Sequence, residues 1–92
     1  MTEFKYKPAF ERKFKRNYKN ILKGGRYKAV DFEIVYHKLL KDEPLEPHYN
    51  DHPLKNRRPE RDLHIKPDWL LIYKYDGDYV KFIDTGTHSD LF

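Results

Sequence analysis

The sequence predicts an α+β domain ordered strand, helix, helix and three strands (βααβββ). It forms a small antiparallel sheet with a two-helix hairpin on one face and a short C-terminal turn. Three observations predict it. Apolar residues recur at helical spacing twice before residue 42, an alternating and then a continuous apolar run follows residue 60, and Gly24-Gly25 and Asp76-Gly77-Asp78 punctuate these runs. At 92 residues the chain suits one domain, residues 1–92, with a modest core.

Thr2-Glu3-Phe4-Lys5-Tyr6-Lys7 alternates polar and apolar residues and reads as the first strand. Pro8 suits a first helical turn. Phe10, Phe14, Tyr18, Ile21 and Leu22 form one stripe of a helix, with Arg12, Lys13, Lys15, Arg16, Lys19 and Lys23 on the other side. Gly24-Gly25 closes that helix, because glycine accepts the left-handed conformation of a helix end. A second helix runs from about Ala29 to Lys41 with Phe32, Val35, Tyr36, Leu39 and Leu40 inward. His37 lies off this stripe and reads as a surface residue.

Pro44 and Pro47 stop the second helix and open a long connection to about Glu60. Loops of this length in small domains are usually functional or disordered. Leu63 and Ile65 then face one way and Asp62 and His64 the other. The run from Trp69 to Tyr75 suits a central strand buried on both faces. Asp76-Gly77-Asp78 turns the chain into a last strand from Tyr79 to Thr85.

Aromatic residues make up 16% of the chain, far from the composition of a disordered segment. The absence of cysteine excludes disulfides, a thiolate nucleophile and sulfur-ligated zinc. No apolar run reaches bilayer length and the first residues carry no signal-like segment, so the expected location is the cytoplasm, with no membrane partner. Charge is lopsided: residues 1–28 carry ten Lys or Arg against two Glu, and residues 29–92 carry nine against thirteen acidic residues. A concentrated basic segment suits a polyanion or an acidic protein partner, and equally a solvated helix face.

The remaining chemistry lies in the last third: His52, His64, Asp68, His88 and the terminal Phe92. Histidine exchanges protons near neutrality, with an ordinary pKa of about 6.5. RNA cleavage by its own 2′-hydroxyl needs a base, an acid and cations, and no metal or cofactor. Each residue also has a plainer account: surface histidines, Asp68 as a turn-former, Phe92 as a hydrophobic latch. A metal site of His52, His64 and His88 lacks any tight ligand spacing. Nuclease, metal-dependent nuclease and plain RNA- or DNA-binding module all fit these residue types.

Asp51-His52-Pro53-Leu54, the run from Arg61 to Tyr73, and Thr85-Gly86-Thr87-His88-Ser89-Asp90-Leu91-Phe92 resemble the YafQ-type mRNA interferase toxins of the RelE/ParE superfamily, from type II toxin–antitoxin systems. The resemblance implies a RelE-like fold and a ribosome-dependent, metal-independent endoribonuclease that cuts mRNA in the A site. Its implied partners are a cognate antitoxin protein, the ribosome and mRNA. By the same resemblance His88 is the general acid, His64 with Asp68 positions or deprotonates the 2′-hydroxyl, and His52 holds the phosphate. Phe92 positions a base or the adjacent histidine. Arg57, Arg58, Arg61, Lys66 and Lys81, with Arg12, Lys13 and Arg16 of the first helix, are the expected RNA contacts. A non-catalytic ParE-like toxin acting on DNA gyrase is the alternative within this superfamily; it needs no histidine set. Two stretches depart from the family pattern: Lys55–Glu60 reads one residue short, and Asp84 stands where relatives commonly carry a basic residue.

Overall fold

The computed structural model describes residues 3–92. Its elements run β1 (Lys7–Phe10), α1 (Arg12–Lys23), α2 (Ala29–Leu40), a 3-10 turn (Pro47–Tyr49), β2 (His52–Pro53), β3 (Arg61–Lys66), β4 (Trp69–Asp76), β5 (Tyr79–Gly86) and α3 (His88–Leu91). The sheet order is β1-β5-β4-β3-β2. All pairs are antiparallel except β1 with β5, which is parallel. The α+β class and the element order are as the sequence reads, with one further strand inside the long connection.

The first strand sits later than expected, and its expected start, Thr2, lies outside the described residues. Lys5 and Tyr6 donate their backbone N–H groups to the Leu40 carbonyl at 2.8 and 3.0 Å, so they close the end of α2 instead of joining the sheet. Pro8 therefore lies in the edge strand, where a missing N–H is tolerated. Phe10 ends β1 and stacks on Phe14 and Phe82, with centroids 5.6 and 5.0 Å apart. At the end of α1, Gly24 keeps a right-handed backbone and Gly25 takes the left-handed one at φ 78°. Gly77 does the same at φ 58° in the β4–β5 hairpin.

The core fills the space between the helices and one sheet face. Phe14, Phe32, Val35 and Leu39 meet Leu63, Trp69, Leu71, Tyr73, Val80 and Phe82 there. β4 is buried on both faces, since Leu70 and Ile72 are closed off as well. Pairing of Ile72 with Asp84 but Tyr73 with Phe82 leaves Ile83 as an extra residue, a bulge. The bulge resets the alternation, so Phe82 pairs with Tyr73 while Thr85, three residues on, pairs with Leu71. Thr85 accepts from the Trp69 indole N–H at 2.8 Å and donates to the Leu70 carbonyl at 2.6 Å. Both buried polar groups are thereby satisfied.

Candidate active site

The long connection is pinned in front of His52. Asp51 accepts from the Tyr73 hydroxyl at 2.5 Å and from Arg61 Nε and Nη2 at 3.3 and 3.2 Å. Burial, then the Asp51 carboxylate, push the Tyr73 hydroxyl far above its ordinary range, so it stays a donor. Asn50 adopts a left-handed backbone at φ 49°, and its carbonyl lies 2.6 Å from His52 Nδ1. A carbonyl only accepts, so Nδ1 carries the hydrogen and Nε2 is the open nitrogen. Pairing in β2–β3 sets His52 opposite Asp62, with Nε2 3.7 Å from Asp62 Oδ2.

On the other side of the site, Asp68 at the β3–β4 turn holds His88. Its Oδ1 accepts from the His88 backbone N–H at 3.0 Å and from His88 Nδ1 at 2.7 Å. These bonds, the backbone one first, hold the Asp68 carboxyl below its ordinary range. With Nδ1 occupied, Nε2 of His88 is the nitrogen available for proton transfer. The side chain that Asp68 holds is thus His88. His64 instead lies against His88, with ring centroids 5.3 Å apart and planes at 69°.

α3 carries His88 and is defined by a capping box, in which Thr87 Oγ1 accepts from the Asp90 N–H and Asp90 accepts from the Thr87 N–H. Gly86, just before it, is packed so tightly that a Cβ would come within 2.9 Å of Asp90 Cβ. Gly86→Ala is therefore expected to displace α3 and lower activity at least tenfold, as misplaced catalytic groups do, while shifting the thermal midpoint by only a few degrees. Wild-type activity in that variant would show that α3 relaxes freely. Phe92 donates its backbone N–H to the His88 carbonyl at 2.9 Å and is itself 62% exposed.

The structure thus gathers His52, His64 and His88 around one residue that the motif reading left out. Asp62 shares the sheet face of His64 by strand parity and is only 4% exposed. Burial pushes its carboxyl up, and the charges of His52, His64 and His88 pull it back down. The alternation Asp62-Leu63-His64-Ile65 put Asp62 on the face of His64, but alternation alone carries no sign that this face is covered at Asp62. Beside His64 opens a cavity of about 470 Å³, whose walls include His48, Tyr49, Lys66 and Asp31.

The expected RNA contacts divide into two groups. Lys13 pairs with Asp84 at 3.2 Å, Arg57 with Glu60 at 2.8 Å, Arg61 with Asp51, Lys66 with Asp31 at 3.5 Å and Lys81 with Asp76 at 2.7 Å. Arg12, Arg16 and Arg58 have no ion pair among the described residues. Asp84 is buried, and it also accepts from Asn17 Nδ2 at 2.7 Å. It ties α1 to β5.

The family model for the bacterial toxin of type II toxin–antitoxin systems, YafQ, matches residues 6–92. Among curated relatives, the mRNA interferase toxin YafQ of Escherichia coli (strain K12) is 48% identical over 50 residues, 53% of this chain and 54% of that protein. The chain thus aligns with about half the length of that relative. Solved structures match more completely. YafQ in the E. coli DinJ-YafQ toxin–antitoxin complex superposes with a TM-score of 0.87 at 30% identity, covering 96% of this chain and 98% of that one. A metal-bound toxin from Helicobacter pylori gives 0.89 at 32% identity, covering 95% and 99%. In the present chain, no group of three His, Asp or Glu among the described residues is arranged to hold a metal ion. No helix among the described residues is long and apolar enough to cross a membrane. With residues 6–92 matched by the family model and the fold shared with YafQ over nearly the whole chain, the chain belongs to the YafQ family of type II toxin–antitoxin toxins.

Proposed function

We propose that this protein is a ribosome-dependent endoribonuclease that cuts mRNA in the A site and is silenced by a cognate antitoxin. The observation that carries the reading is the His88–Asp68 couple beside His64, two imidazoles within reach of one phosphodiester and in different settings. The RNA's own 2′-oxygen attacks phosphorus while its proton passes to His64 or His52. The bond to the 5′-oxygen breaks, and that oxygen takes its proton from Nε2 of His88. The products are a 2′,3′-cyclic phosphate and a free 5′-hydroxyl. Asp68 orients the imidazole and balances its positive form, as a carboxylate does in other acid–base couples. His52 holds the phosphate, and the exposed Phe92 ring positions a base or His88. None of these steps calls for a metal ion.

The E. coli complex of YafQ with DinJ supports a cognate antitoxin as the protein partner. The basic outer face of α1 suits ribosomal RNA, and it equally suits an acidic antitoxin segment. Arg12, Arg16 and Arg58, which have no ion pair among the described residues, are the strongest candidates for rRNA phosphates. Reversing all three to Glu is expected to weaken ribosome binding and to lower the slope of log affinity against log salt by roughly 2–3. An unchanged slope would assign that surface to the antitoxin. The central test is primer extension on programmed ribosomes, with protein used as purified or treated with chelator and desalted before it is added. Cuts confined to the A-site codon and indifferent to chelator are expected. Cleavage of naked RNA at equal rate, or its loss with chelator, would overturn the ribosome-dependent or the metal-independent part.

A further inference from the structure

We propose that Asp62 is the buried counter-ion of the histidine cluster, a positioning residue that lets the cluster take up the proton leaving the 2′-hydroxyl. The proposal rests on the nuclease reading for its role in catalysis, and on geometry alone for the coupling. Among the described residues Asp62 Oδ1 is buried with no hydrogen-bond partner, and Oδ2 lies 3.7 Å from His52 Nε2. A carboxylate placed this way costs stability, because Oδ1 has no partner to replace the hydration it lost. Ile72 stands opposite it on β4, so an apolar side chain would suit the position better. Such a violation of good packing is expected where a site needs it.

The groups that face Asp62 supply the need. His52 approaches from β2, His64 lies two residues on in its own strand, and His88 comes from α3; Asp51 is the one further carboxylate that acts on it. His52 has its Nδ1 hydrogen committed to the Asn50 carbonyl, so any proton it gains goes on Nε2, the atom facing Asp62. His64 and His88 lie so close that two imidazolium rings would repel. An anion beneath all three offsets that repulsion while a proton moves in at one ring and out at another. It touches no substrate, and it acts through the histidines.

Asp62→Asn keeps the shape and removes the charge. Cleavage on programmed ribosomes is expected to fall about 10- to 100-fold with ribosome binding unchanged, and the pH–rate profile to move about one unit lower, because each imidazolium becomes harder to form. Stability should move the other way. Burial raises the Asp62 carboxyl above its unfolded value, so its contribution is present at low pH and lost as pH rises through the raised value. The Asn variant should thus melt no lower than wild type at neutral pH. A wild-type rate and profile, or lost activity with an unmoved profile and a lower melting point, would overturn the proposal. A second measurement stands apart from catalysis: the Asp62 carboxyl carbon followed by NMR in the free protein. Its titration midpoint should rise in His52→Ala. An unmoved midpoint sinks the coupling, whereas a wild-type protein that cuts no RNA but shows the shift sinks only the nuclease reading.

Discussion

Replacing His88 by alanine is expected to lower cleavage of translated mRNA by about 10²- to 10⁴-fold, the usual contribution of a positioned acid, and to lift the growth arrest caused by expressing the protein alone. The fold should not notice. The side chain is 53% exposed, and its bond to Asp68 is a surface contact of little worth to stability. The lost activity therefore cannot be charged to unfolding. Asp68 adds a pH signature. Its carboxyl is held below the ordinary range, so the stabilisation it provides is complete above the unfolded carboxylate value. That stabilisation disappears as pH falls through the lowered one. The hold on His88 thus persists at any pH above the lowered Asp68 range. Primer extension and growth curves check the prediction, and a His88→Ala protein that stayed fully toxic would remove His88 from catalysis.

Phe82→Ala is expected to give the opposite profile, a loss of about 3–5 kcal/mol in stability. Phe82 is fully buried and touches rings from three elements: Phe10 of β1, Phe14 of α1, and Phe32 and Tyr36 of α2, with centroids 5.0 to 5.8 Å away. Removing it opens a cavity where strand and helices all meet, and none can move in without breaking another contact. Against a total stability of roughly 5–15 kcal/mol, the thermal midpoint should fall by more than about 10 °C. Calorimetry or circular dichroism decides it. A fall under a few degrees would mean that the aromatic cluster repacks. Val30, exposed on α2, is the control, and its alanine variant should melt like wild type.

The parts of the fold that sequence disclosed were those dictated locally. The Phe14–Tyr18–Leu22 stripe, the Ala29–Leu40 helix, the Trp69–Tyr75 run and the Gly77 turn each state their conformation within a few residues. What escaped was set by distant partners. Lys5 and Tyr6 alternate like a strand, yet the free Leu40 carbonyl at the end of α2 claims their N–H groups. β2 is two residues long and exists only because Arg61 and Asp62 lie beside it. The same holds for the site. His52, His64, Asp68 and His88 were legible through resemblance to a family, but which carboxylate serves which histidine depends on the closing of α3 over the β3–β4 turn. Arg61, an RNA contact by the resemblance, also fastens Asp51, a pairing that no local pattern announces.

The sheet order also says when the proposed site can form. β5 lies between β1 and β4 although it is the last strand in sequence, and Gly86, Leu70 and His64 form one row across β5, β4 and β3. A chain still lacking β5 has no partner for β1, an open flank on β4 and no His88. The residues of the proposed site therefore come together only once β5 has joined the sheet. For a toxin whose proposed target is the ribosome, that ordering keeps a half-made chain harmless to the machine that is making it.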